Sequence, residues 1–201
     1  MESKKSAEAK AIENYLVQKS ILIDQGYNEN EKTISIVKAN VIALVILLIA
    51  AVILNIIYYS LWGEIIVSFS MRNSIFIIIL FVISIPIHEL LHGLGFAIFC
   101  KDKFRSVRFG IMKELLTPYC NCKEPLKAGQ YLFGGMLPLI VLGIAPAIYG
   151  LMTQNMAVLI FAMFSISAAG GDLIIAVMII RCKGGLFLDH PNECGFYHYY
   201  K

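Results

Sequence analysis

The sequence predicts an all-α integral membrane fold: a bundle of four transmembrane helices, with a cytosolic N-terminal helix and a short hairpin or re-entrant segment between the second and third spans. Three observations carry this expectation. Of the 201 residues, 58% are hydrophobic and 15% charged, where a soluble domain carries about 25% charged residues. Four apolar runs each exceed the ~20 residues that cross ~30 Å of hydrocarbon. Lysine and arginine gather in alternate connecting segments, as the positive-inside rule requires of a multi-span chain.

Residues 1–38 form a polar cytosolic segment with six lysines and six acidic residues. Good helix formers from Ser6 to Ile23 predict a short surface helix there, solvated on most sides. Charge throughout, with no apolar core, does not read as a secretory signal. The membrane domain follows at 39–180, with spans expected at 39–62, 74–100, 131–152 and 156–180. The first is interrupted only by Asn40 and Asn55. The second holds His88, Glu89 and His92, the third is rich in Gly and Pro, and the fourth carries a single charge, Asp172. Glycines such as Gly134, Gly135, Gly170 and Gly171 let helix backbones pack closely in a membrane. Residues 181–201 read as a cytosolic C-terminal tail.

The 101–129 segment holds seven basic residues, while the 61–73 loop holds only Arg72 and the 153–155 turn none. This alternation puts both termini and the 101–129 segment in the cytosol. Within that segment, Ser106 to Met112 and Leu115 to Asn121 have a strand-like pattern around Lys113 and Glu114, which predicts the hairpin or re-entrant piece. A net charge of +3 gives no reason to expect a nucleic-acid partner. The partners expected are the lipid bilayer and a membrane protein or peptide substrate, with no signal for an oligomeric state. Five cysteines, at 100, 120, 122, 182 and 194, are odd in number and irregular in spacing, which is not a disulfide framework. Cys120 and Cys122 form one C-x-C pair without a second, so a structural role outweighs metal binding.

His88-Glu89-Leu90-Leu91-His92 is an H-E-x-x-H pattern. Residues four apart share a helix face, so both imidazoles can reach one ion and Glu89 can reach water beside it. Neutral nitrogen donors with an open position suit zinc, which makes Glu89 the candidate catalytic acid/base. Ionisable groups inside an apolar span are costly and mark function by default. Helix-to-helix polar glue is the plain alternative, but it needs neither this spacing nor the intervening Glu.

A catalytic zinc takes a third protein ligand. His88 to His92 lie 8 to 12 residues before Cys100, or ~12–18 Å along a helix. Asp172 lies nine residues before Arg181, or ~13–14 Å by the same rise. With spans two and four running in the same direction, Asp172 reaches the depth of the histidines. It is the expected third metal residue, or else a hydrogen-bond partner of a ligand histidine. Asp189, His190, Glu193 and His198 are rivals only if the tail folds back into the bundle.

These residues resemble a known family. His88 to Gly93, Thr117-Pro118-Tyr119-Cys120 and Gly171-Asp172 are similar to motifs of the zincin-type membrane metallopeptidases related to site-two proteases, over residues 74 to 200. In site-two proteases the third ligand is an Asp in a later span, usually before a Gly; here Leu173 follows Asp172. The resemblance implies a zinc metalloprotease that cleaves membrane-embedded or membrane-proximal segments from the cytosolic side. It also implies an edge strand near the metal, for which 106–122 is the candidate, and a prokaryotic plasma membrane as location. The competing readings are a catalytically inactive metal-binding regulator and a metal ion transporter. Ligands collected at one depth suit a fixed site better than a path.

Overall fold

In the computed structural model, which describes residues 2–65, 71–112 and 117–201, the chain is mostly helical, with strands packed at one end of the helices. Helix α1 (Glu2–Asp24) leads into strand β1 (Asn28–Thr33) and the long helices α2 (Ile36–Trp62) and α3 (Met71–Ala97). A short 3-10 turn (Lys103–Ser106) precedes β2 (Val107–Met112), β3 (Thr117–Cys122) and β4 (Leu126–Lys127). Helix α4 (Ala128–Pro138) continues through a π-helical stretch (Leu139–Ile144) into α5 (Ala145–Met152). Then come α6 (Met156–Ala168), α7 (Gly170–Ile180), β5 (Leu186–Asp189) and β6 (Gly195–Tyr200).

Among the described residues, three helical stretches are long and apolar enough to cross a membrane: Ile36–Trp62, Ser74–Ala97 and Ala128–Met152. The bent pair α6 and α7 makes a fourth if counted as one span. Side chains such as Leu44, Leu48 and Val52 of α2 and Ile78 and Val82 of α3 point away from the protein and are at least half exposed. Each would gain roughly 1.5–3 kcal/mol on leaving water, so a lipid surround is what this surface suits. Local signals set the ends. Ser35 caps α2 by accepting the Lys38 amide at 3.4 Å, and Asn155 caps α6 by accepting that of Val158 at 3.2 Å. Trp62 Nε1 donates to the Leu151 carbonyl at 3.0 Å, and the fully buried Tyr58 donates to Gln154 O at 3.2 Å. The end of α2 is thereby fixed against the turn between α5 and α6.

The all-α expectation is corrected by the strands. β2 and β3 form an antiparallel hairpin, as the pattern of that segment predicts; its turn around Lys113 and Glu114 lies outside the described residues, as do residues 66–70 of the 61–73 loop. The second sheet was not expected at all. Its order is β1-β6-β5-β4, with every pairing antiparallel. The segments read as an N-terminal solvated helix and a C-terminal tail therefore meet, residue 28 opposite 200. The physical reason is a three-layer stack. Phe187 and Phe196 on one face of the sheet pack on Phe96, Tyr131 and Ile179 at the ends of α3, α4 and α7. Leu188, Tyr197 and Tyr199 on the other face pack on Leu22 and Tyr15 of α1. β6 is buried on both faces, so its sequence lacks the polar alternation that marks a half-exposed strand.

Candidate metal centre

Helix α3 carries His88, Glu89 and His92. Pro86 stands two residues before the first histidine. It has no amide to give, which leaves the Val82 carbonyl without its helical partner one turn from the site. The two imidazoles lie on one face, ring centres 4.8 Å apart and steeply inclined at 78°. His92 is buried and His88 partly so.

What orients His92 comes from α4. Its Nδ1 donates to the Gly134 carbonyl at 3.0 Å, which turns Nε2 toward the centre of the cluster. A hydrogen bond at the far nitrogen fixes tautomer and ring plane in a metal-binding histidine. The contact requires glycine: a Cβ at Gly95 would stand 2.6 Å from the Gly134 Cα, and one at Gly134 would overlap the Phe96 ring. Gly95→Val therefore pushes α4 off α3 and takes the carbonyl from His92. We expect zinc affinity to fall about 10- to 100-fold, read by chelator competition; wild-type affinity in that variant would contradict this role.

The third arm is α7. The fourth hydrophobic run bends by 47° between α6 and α7, where Ala169 leads into Gly170-Gly171. Gly170 is pressed on α2, since a Cβ there would stand 2.9 Å from the Ala43 Cα, and Ser167 Oγ donates to the Ala43 carbonyl at 2.8 Å. Asp172 falls in the first turn of α7, where a carboxylate is favoured by the helix dipole. One of its oxygens lies 3.1 Å from His88 Nε2 and the other 3.3 Å from His92 Nε2. The two Nε2 atoms are 3.1 Å apart. Zinc bonds of 2.0–2.1 Å at tetrahedral angles separate neighbouring donors by roughly 3.3–3.4 Å, close to the separation of the two Nε2 atoms and of each from its nearer carboxylate oxygen. Two imidazole nitrogens and a carboxylate oxygen, turned inward within 4.8 Å of one another, suit a borderline-soft divalent cation. The donor set fits zinc.

Glu89 follows His88 on α3. Its carboxylate interacts electrostatically with His88, His92 and Asp172, and accepts a hydrogen bond from the Cys120 amide of β3. The hairpin is thus packed on the metal helix at its acid/base candidate. The rival ligands go elsewhere. His198 Nε2 pairs with the Gly184 carbonyl at 2.7 Å, and His190 Nδ1 accepts the Glu193 amide at 2.8 Å. Cys120 and Cys122 are not placed as metal ligands among the described residues. Burial pushes the Cys120 thiol up, and the Cys122 thiol is pushed up first by its contact with Cys100 and then by burial. Both are protonated and poor donors to a metal.

Asp189 ends β5 and accepts the Cys122 amide at 2.5 Å on one oxygen and the Tyr131 hydroxyl on the other. Burial pushes its carboxyl up to about 6, against the lowering effect of those two donors and of the more distant His92 and Arg108. A raised acid means that folding favours the protonated form. Its stabilising contribution is present below the ordinary 3.8 and is lost as pH rises through about 6. An asparagine side chain cannot ionise, so the melting temperature of Asp189→Asn relative to wild type should climb between about pH 4 and about pH 7. A constant difference across that range would show that the carboxyl titrates normally.

Sequence reasoning singled out His88, Glu89, His92 and Asp172, and these four lie together. It missed the Gly134 carbonyl, the Cys120 amide and the Tyr131–Asp189 pair. Two of those are backbone groups with no residue-type signature, though the small residues of the third span hinted at a close helix contact. A family model described as "Putative zincin peptidase" matches residues 80–187, from the middle of α3 through the hairpin to β5. No curated protein and no solved structure matches the chain.

Proposed function

The chain belongs to the zincin peptidase family whose model spans its residues 80–187, and on that footing we propose that it is a zinc-dependent endopeptidase, akin to site-two proteases, that cleaves membrane-embedded or membrane-proximal segments of other membrane proteins. The observation that carries this reading is the convergence of His88, His92 and Asp172 on one point beside Glu89. His88, His92 and Asp172 would hold the zinc. When bound, zinc polarises a carbonyl and makes water acidic near neutral pH. Glu89 takes a proton from the attacking water on its carboxylate and returns it to the leaving amide nitrogen. The Gly134 carbonyl keeps the His92 proton on Nδ1, and the Cys120 amide keeps the Glu89 carboxylate facing the reacting atoms.

A helical substrate hides its amides, so it must be extended before it can be cut, and strand addition supplies that shape. β3 has no amide to spare on its outer edge, since Cys120 and Cys122 give theirs to carboxylates and Pro118 has none. The candidate pairing edge is β2, where Phe109 and Ile111 turn their amides away from β3 by the register of the hairpin. The basic residues of the 101–129 segment favour the cytosolic side for this edge, and the family resemblance favours the plasma membrane of a prokaryote as the location.

The test uses the full chain in detergent and a quenched-fluorescent peptide containing an apolar membrane-spanning segment. Cleavage should stop with a zinc chelator and return on adding zinc, with the cut mapped by mass spectrometry inside or beside the apolar run. Cleavage that survives chelation, or none in the zinc-loaded protein, would contradict the proposal.

A further inference from the structure

We propose that Asp189 and Tyr131 are positioning residues that set the register of β3 and so hold the Cys120 amide on Glu89; the inference rests on Glu89 being the proton carrier. β3 has one edge against β2 and one turned toward the helices. Alternate amides of a strand point the same way. Lys123, just past β3, donates to Ser106 O at 2.8 Å on the β2 side. Cys120 and Cys122 point to the other side, and both of their N–H groups end on carboxylates, Glu89 for the first and Asp189 for the second. The two amides are about 7 Å apart along one strand, so fixing one fixes the other. A slip of one residue would turn both away and bring Asn121 to that edge.

Asp189 is itself held at a fixed place. It pairs with Phe196 in the sheet, and that sheet is seated on the ends of α3, α4 and α7. Its second oxygen accepts the Tyr131 hydroxyl from the first turn of α4. The same helix supplies the Gly134 carbonyl to His92. α4 is thereby tied to both halves of the site, to a metal-binding imidazole directly and to the proton carrier through Asp189 and β3. An acceptor-only side chain suits this position because two donors point at it from opposite elements. This role explains why the sequence places a carboxylate at 189 although the structure keeps it out of the metal cluster.

The test compares wild type with Asp189→Ala, Asp189→Asn and Tyr131→Phe as full-length, zinc-loaded protein in detergent. Hydrogen exchange is read on the 117–122 segment, zinc by elemental analysis, and kcat and KM on the quenched-fluorescent peptide. In Asp189→Ala, exchange of the segment should quicken about tenfold or more. Zinc content should stay at the wild-type level, kcat should fall about 10- to 100-fold, and KM should move by less than about twofold. An asparagine accepts the Cys122 amide on its oxygen and donates to the Tyr131 oxygen, so Asp189→Asn should recover most of both losses. Tyr131→Phe should fall between. Wild-type exchange and kcat in Asp189→Ala would overturn the proposal. So would a joint loss of zinc and activity that Asp189→Asn fails to rescue, which marks a general scaffold. If Asp189→Ala does not fold, Tyr131→Phe decides: unchanged exchange and kcat there overturn the proposal. If the wild type cleaves nothing, the peptidase reading fails by itself. The register then stands or falls on exchange alone, because Glu89→Ala must quicken the same segment that Asp189→Ala does.

Discussion

Glu89→Gln is expected to leave zinc bound and to lower peptide cleavage about 10²- to 10⁴-fold. Gln has nearly the volume of Glu, and its carbonyl oxygen can still accept the Cys120 amide that the carboxylate accepts now. The hairpin contact survives, and so do the three metal-binding side chains. What is lost is a base able to take a proton and an acid able to return it. The variant therefore separates proton transfer from metal binding, which a histidine substitution cannot do. The measurement is paired: zinc per chain, and kcat on the same preparation. Equal cleavage by wild type and variant would remove Glu89 from the mechanism, and loss of zinc would make it a ligand instead.

Asp172→Ala is expected to weaken zinc binding well beyond the roughly 10- to 100-fold that follows loss of a hydrogen-bond partner behind a ligand. The distances favour a ligand, since one carboxylate oxygen faces each Nε2, at 3.1 and 3.3 Å. A partner supporting a histidine from behind would meet Nδ1, the place Gly134 holds at His92. Removing Asp172 leaves two imidazoles alone, and among the described residues no other group joins the cluster. The fold should tolerate the change, because a first-turn carboxylate adds only about 0.3–1 kcal/mol to a helix. His88→Ala is the reference for a lost ligand. Affinity in Asp172→Ala that matches a mild outer-contact loss, while His88→Ala abolishes binding, would demote Asp172.

Particular residues show how much was legible. The spans could be read because lipid demands long apolar runs; α2 begins at Ile36 where the run was expected to start at 39. Asp172 could be matched to His88 and His92 because two helices of one direction share a depth scale. Gly170 did both things a glycine pair at that place allows, meeting Ala43 closely and standing at a bend. The sheet was hidden for another reason. β1 is Asn-Glu-Asn-Glu-Lys-Thr, with no apolar alternation to mark a strand, and its partner lies 162 to 172 positions away at the ends of the pairing of residues 28–33 with 195–200. It is stabilised by what covers β6, not by its own pattern. Asp189 could be read only as a rival metal ligand in a tail, because only the folded sheet brings it to Tyr131 and Cys122.

X-ray absorption at the zinc edge of the full chain, loaded with one equivalent of zinc, measures the ligand set directly. Two imidazole nitrogens at about 2.0–2.1 Å with oxygen donors and no sulfur at about 2.3 Å is the expected spectrum, and the Asp172→Ala protein should lose it. A sulfur shell, which would bring the cysteines near α3 into the centre, or a spectrum indifferent to Asp172→Ala, would contradict a site built from His88, His92 and Asp172.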